Sequence, residues 1–191
     1  MSIDRRSLIV DAASKSFSLF GYKGTTMEQV AKIANVGKGT IYTFFANKEE
    51  LFQEVMNKLL LEMKYVAERV ISDERSFFDN LTEALNELLE FRKDHELALK
   101  LTQEVREIGT PMANEALVQM EQVIIEHIAS KIEHAINRNE IKACDTQMTA
   151  FVMFRLYTAL AVEWSAKHET LQKQEIAQRL RFYLEKGLAI S

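Results

Sequence analysis

Helix breakers are scarce in this chain of 191 residues, which has one proline (Pro111) and six glycines. Proline costs about 3 kcal/mol and glycine about 1 kcal/mol in a helix interior, so a sequence poor in both favours helix throughout. An all-α protein is therefore expected. A single cysteine, Cys144, excludes an intramolecular disulfide and fits a reducing compartment. No apolar run is long enough to span a bilayer, and the opening MSIDRRSLIVDAA is amphipathic with acids, unlike a signal peptide. Both features predict a cytoplasmic protein with no membrane partner. Also missing are a phosphate-cradling glycine loop, a metal-spaced set of His, Asp and Glu, and a nucleophile motif. These gaps oppose an enzyme and leave no metal or cofactor to expect. What is present is 47% hydrophobic residues, ample for the core of one or two domains.

Charge is unevenly spread. The net charge is −4, yet residues 1–50 carry seven Lys/Arg against five Asp/Glu, an excess of +2 that leaves −6 on the remainder. A mildly basic head on an acidic body attracts phosphate at one end only.

That head contains the most informative stretch, TTMEQVAKIANVGKGTIYTFFANK, from Thr25 to Lys48. Both Thr25-x-x-Glu28 and Thr26-x-x-Gln29 fit a capping box. Val30, Ala31 and Ala34 recur at helical spacing, and Asn35 suits a left-handed terminator. Gly37 can open a second helix. There Ile41 and Phe45 share the inward face, while Gly39, Thr40 and Thr43 point outward, with Lys38 and Tyr42 on one shoulder and Phe44 on the other. A small, hydroxyl-bearing face flanked by a cation and a phenol suits a helix in the major groove. An ordinary helical hairpin fits the same pattern.

Over a wider window the chain resembles the TetR family of bacterial transcriptional regulators. The resembling residues are Phe20-Gly21-Tyr22, Thr25-Thr26, Val30-Ala31, Val36, Gly39-Thr40-Ile41-Tyr42, Phe45 and Asn47-Lys48-Glu49-Glu50-Leu51. They cover about the first quarter of the chain in family order and spacing. Two departures stand out. Asn35 replaces the usual Gly, exchanging one residue tolerant of positive φ for another, and Gly37 replaces a frequent Ser, removing a hydroxyl that could hold phosphate. The resemblance implies a three-helix helix-turn-helix DNA-binding domain over residues 1–50, followed by a six-helix effector-binding and dimerisation domain over 51–191.

Periodicity supports about nine helices. Asp4 to Phe20 carries Leu8, Ile9, Ala12, Ala13, Phe17 and Phe20 as one stripe, expected to bury Val30, Ile33, Ile41 and Phe45, with Gly21 as the stop. Arg5 and Arg6 are either solvated or near phosphate. Asn47 is expected to cap a fourth helix running to about Ile71. Further helices are expected over 74–92, from an Asp94 cap to Ile108, from Pro111 to about Asn139, over 145–167 and over 171–187. Gly109-Thr110-Pro111 is the sharpest break.

The family resemblance implies a body pocket for a small, hydrophobic effector. Met63, Phe78, Phe91, Met120, Phe151, Phe154 and Tyr157 are candidates to line it, each equally readable as plain core. Phe77 and Trp164 belong to the same aromatic set. His127 and His134 lie two turns apart, about 10 Å, too far to share one metal ion in the same subunit; these residues, His95 and Cys144 read as ordinary core or surface side chains, with a haem or metal role as the alternative. Arg155 and Glu163 interrupt apolar segments and are expected either to pair across a subunit interface or to face water. The last two helices are apolar on more than one side, which suits a homodimer interface.

The mechanism this predicts is effector-controlled binding of double-stranded DNA at a near-palindromic operator, with repression as the output. Lys38, Gly39, Thr40, Thr43 and Phe44, on a reading helix from Gly37 to Phe45, would meet base edges. Thr26, Tyr42 and Lys48 would hold phosphates. The competing reading is a helical protein-interaction module that never touches DNA.

Overall fold

A computed structural model describes residues 4–94, 96–164, 168, 169 and 171–188. Among these residues there are nine α-helices and no strand. The chain divides into two compact units, one of Met1–Glu62 with Asp94–Met120 and the other of Met63–Lys93 with Glu121–Ser191.

The first unit contains α1 (Arg5–Gly24), α2 (Met27–Ala34), α3 (Lys38–Tyr42), most of α4 (Lys48–Glu68), α6 (Leu97–Ile108) and the opening of α7 (Pro111–Asn137). Asp4 caps α1, its carboxylate accepting from the N–H of Arg6 at 3.0 Å and of Ser7 at 3.3 Å. Ile9, Ala13 and Phe17 are fully buried, together with Val30, Ile41, Phe45, Leu51 and Phe52. Each such large side chain contributes roughly 1.5–3 kcal/mol by leaving water. The Phe52 ring stands edge-on to Phe17 at 4.9 Å and to Tyr22 at 4.8 Å. Both α2 and α6 pack on α1, and α6 turns Leu97, Leu101 and Glu104 inward at spacings of four and three.

Three expectations about this unit change. Leu8 and Phe20 are 42% and 47% exposed, so neither end of the expected α1 stripe is core. The cause at the C-terminal end is Gly21, whose φ of 73° and ψ of 179° break the helix and carry Tyr22 inward to stack on Phe17. Ile33 is also exposed, because at 3.6 residues per turn it falls about 120° from the centre of the face formed by Met27, Val30 and Ala31. Thr25 is not the cap of α2. It is buried against Ser16, hydroxyl to hydroxyl at 3.2 Å, and the cap is Thr26.

The second unit contains the rest of α4 and α7, α5 (Phe77–Asp94), α8 (Thr146–Thr158) and α9 (Lys173–Leu188). Its core joins Phe77, Phe78, Leu85, Leu89, Ile132, Met153, Ile176 and Leu180. Asp145 caps α8 by accepting from the Met148 N–H at 2.9 Å. A π-helical turn, Ala159–Glu163, extends α8. Element ends shift from expectation: α4 stops at Glu68 and not Ile71, and α6 is preceded by Glu96 with Asp94 inside α5. Arg155 pairs with Glu121 of the same chain at 2.6 Å while half of its side chain stays exposed to water.

Candidate nucleic-acid interface

The outward face of α3 is set by what its inward face buries. Ile41 and Phe45 are 0% and 1% exposed, and four residues of helix advance place both on one side. The approach to α3 is fixed upstream. Thr26 accepts from the Gln29 N–H at 3.2 Å while the Gln29 side chain accepts from the Thr26 N–H at 2.7 Å, a complete capping box. Asn35 closes α2 in the left-handed region (φ 53°, ψ 45°). Gly37 then starts α3 from extended backbone, with no side-chain cap.

With the core side fixed, Lys38, Gly39, Tyr42, Thr43 and Phe44 are exposed, and Thr40 is half-buried. The regular helix is shorter than expected, Lys38–Tyr42, and Thr43 and Phe44 lie in the turn beyond it. Thr43 donates its hydroxyl proton back to the Thr40 carbonyl at 2.6 Å, leaving its methyl and lone pairs outward. Gly39 is unusual among the glycines. A Cβ built there meets nothing within 4 Å, and its backbone is not left-handed. Nothing in the protein's own packing requires glycine at this position.

Around this face the side chains are tied in ways the sequence did not announce. The Lys48 ammonium donates to the carbonyls of Tyr22 at 3.0 Å and Thr25 at 3.1 Å, and lies 4.2 Å from the Tyr22 ring centre. Two of its three protons thus serve the backbone freed by the Gly21 break. The Tyr22 hydroxyl donates to Glu49 at 2.6 Å. Burial, then Glu49, push the phenol well above its ordinary range, and that hydroxyl holds the Glu49 carboxyl below the usual value. Asn47 caps α4 by accepting from the Glu50 N–H at 2.8 Å, and Glu50 accepts from the Ala46 N–H at 2.7 Å. Arg6 pairs with Glu54 at 2.6 Å and stacks over the Phe45 ring, with about half of its side chain exposed. Its hydrogen bond lowers the Glu54 pKa.

Tyr22 and Glu49 entered the sequence reading only as part of the family pattern, with no contact between them expected, and Glu104 was not singled out. Glu104 is 5% exposed and accepts from the Lys23 N–H at 3.0 Å. The two residues are 81 positions apart, so no local pattern signals the pair. The carboxylate fits only because Gly21 has no side chain, since a Cβ there would collide with it.

The seven effector candidates are dispersed in environment. Phe78 and Met120 are buried, Met63, Phe91, Phe154 and Tyr157 are half-buried, and Phe151 is 41% exposed. Met120 belongs to the first unit and the other six to the second. The Arg155 guanidinium lies over the rings of Phe151 and Phe154 at 5.1 and 5.8 Å. His127 sits 3.4 Å from Glu68, with burial lowering its pKa, and His95 lies outside the described residues. Among the described residues no three His, Cys, Asp or Glu side chains gather as a metal site would need.

Comparison with known proteins bears on the same region. Residues 9–55 match the profile described as "Bacterial regulatory proteins, tetR family". The chain is 52% identical over 189 residues, 99% of each protein, to the HTH-type transcriptional regulator YhgD of Bacillus subtilis (strain 168). Solved structures share the fold. NemR of E. coli in its reduced form superposes with a TM-score of 0.77 at 16% identity, covering 98% of both chains. FadR from Bacillus subtilis in complex with stearoyl-CoA gives 0.71 at 21% identity, covering 95% of this chain and 98% of that one.

Proposed function

This chain belongs to the TetR family of bacterial transcriptional regulators, DNA-binding proteins and not enzymes, and from that premise we propose a homodimeric repressor released from a near-palindromic operator by a small hydrophobic effector. The observation that carries the reading is the outer face of α3. Lys38, Thr40, Thr43 and Phe44 are offered to base edges, and Gly39 keeps the helix surface flat where a groove floor would approach. Thr26 and Tyr42 flank that face as phosphate contacts, together with the one Lys48 proton not given to a carbonyl.

A dimer is supported by the second unit. Met148, Phe151 and Val152 on α8, and Phe182 and Tyr183 on α9, are each between 41% and 61% exposed, an apolar surface that a monomer has no reason to carry. Two-fold symmetry in the protein then asks for two-fold symmetry in the operator. FadR, which shares the fold, holds stearoyl-CoA, and this supports an apolar effector among Met63, Phe78, Phe91, Phe154 and Tyr157. Release requires that the effector prefer the state that does not bind DNA, since a ligand shifts an equilibrium only by its differential affinity. Occupancy of a promoter by the dimer would block polymerase.

Gly39→Ala tests the interface. In a helix interior alanine stabilises by about 0.5–1 kcal/mol over glycine, so the variant should melt no lower than the parent while binding operator DNA more weakly. Undiminished DNA affinity in a folded Gly39→Ala protein would remove α3 from the interface.

A further inference from the structure

The chain's sharpest break, Gly109-Thr110-Pro111, opens a crevice of about 290 Å³ in the first unit, walled by Tyr22, Lys23, Lys48, Ile108, Thr110 and Pro111. Thr110 is 8% exposed, and its hydroxyl is one of two buried polar side-chain atoms with no hydrogen-bond partner among the described residues. That is unexpected at its place in the fold. A threonine just ahead of Pro111 at the start of α7 would ordinarily turn its oxygen back onto the first-turn N–H groups. Instead it lines the crevice, and a buried hydroxyl without a partner costs about 1–3 kcal/mol. One water takes up about 30 Å³, far less than the crevice offers.

We infer that this crevice is a binding site for a small oxyanion, separate from the effector candidates of the second unit. The groups around it are cations and donors. Lys48 contributes its positive charge at the wall, its third ammonium proton being the one assigned above to a DNA phosphate. Lys23 adds a second cation at the wall. The first turn of α7 presents N–H groups with no intrahelical acceptor, at the positive end of a 27-residue helix. The acceptors nearby are already used, Glu49 by the Tyr22 hydroxyl and Glu104 by the Lys23 N–H. A ligand that satisfies Thr110 and these donors together must accept hydrogen bonds and carry negative charge, as a carboxylate or a phosphate does. Ile108, the Tyr22 ring and Pro111 form an apolar wall that would cover a short organic substituent on it.

The test is titration of the intact protein with inorganic phosphate and, separately, with acetate, at fixed ionic strength in chloride-poor buffer. Calorimetry gives the affinity, and amide chemical shifts give the place. Saturable one-site binding of at least one anion is expected, with the Thr110, Met112 and Ala113 amides moving most; which anion binds tells whether the natural ligand is a phosphate or a carboxylate. Thr110→Val should melt at or above the parent's temperature without anion, because it removes a buried hydroxyl that has no partner in the fold, and should bind at least about tenfold more weakly, the worth of one hydrogen bond to a charged group. Thr110→Ser should bind as the parent does. The inference falls if neither anion saturates, if shifts move only elsewhere, or if Thr110→Val binds as tightly as the parent. Should Thr110→Val fail to fold, the parent's amide shifts and Thr110→Ser still decide the matter.

Discussion

Replacing Gly21 by alanine perturbs the first unit at two independent points, and the structure sets a size for each. The backbone there has φ 73° and ψ 179°, a region essentially reserved for glycine, and holding an L-residue in it costs about 1–3 kcal/mol. The added methyl also collides with the Glu104 carboxylate, which is 5% exposed and holds the Lys23 N–H at 3.0 Å. Displacing it forfeits a charge-assisted hydrogen bond worth about 1.5–3 kcal/mol. Together the loss should be about 2.5–6 kcal/mol, a large share of the 5–15 kcal/mol typical of a folded protein. Urea unfolding of Gly21→Ala, Glu104→Ala and the double variant resolves the two parts. With no carboxylate to meet, the methyl in the double variant adds only the backbone cost, so the double loss should fall short of the sum of the singles by the one hydrogen bond counted twice, about 1.5–3 kcal/mol. A Gly21→Ala protein within about 0.5 kcal/mol of the parent, the range of ordinary surface substitutions, would refute the reasoning. So would strict additivity.

Other outcomes follow from the same geometry. Lys38→Ala should weaken operator binding and, if the lysine meets a phosphate, reduce the slope of log affinity against log salt by about 1; an unchanged slope assigns it to a base edge instead. Thr26→Ala removes a complete capping box and should lower stability by about 1 kcal/mol, read as a shift in urea midpoint. Glu49 has its folded pKa depressed, first by the Tyr22 hydroxyl, so its stabilisation is present above the unfolded pKa and lost as pH falls through the folded one. The stability gap between the parent and Tyr22→Phe should therefore narrow on acidification from neutral pH, and a gap that widens would contradict the sign. Phe182→Glu combined with Tyr183→Glu places charge on the exposed face of α9 and should give a monomer by sedimentation, with operator affinity lost alongside.

Much of the head was legible because its information is local. The Thr26–Gln29 box, the left-handed Asn35 and the Asn47 cap each involve residues within three or four positions, and each is where spacing put it. Ile41 and Phe45 were likewise readable as the buried pair that leaves Lys38, Gly39 and Tyr42 outside. What could not be read was long-range. The inward turn of Tyr22, the capture of Lys48 by two carbonyls and the Glu104–Lys23 bond depend on which helices meet, and periodicity does not encode that. Leu8, Phe20 and Ile33 fit an apolar pattern and still face solvent, because a stripe states which side of a helix can be buried, not how far the neighbouring helix extends. The aromatic residues of the body posed the same difficulty. Phe78 packs in the core while Phe151 lies under Arg155 near the surface, and nothing in their spacing separates the two.

The central claim, that the α3 face reads a symmetric DNA site, is tested most directly by selecting genomic fragments on the purified protein and sequencing what is retained. The account predicts enrichment of one near-palindrome by the parent in moderate salt, and loss of that enrichment for a folded Tyr42→Ala variant. Retention of DNA without any common sequence, or equal enrichment by the variant, would contradict it.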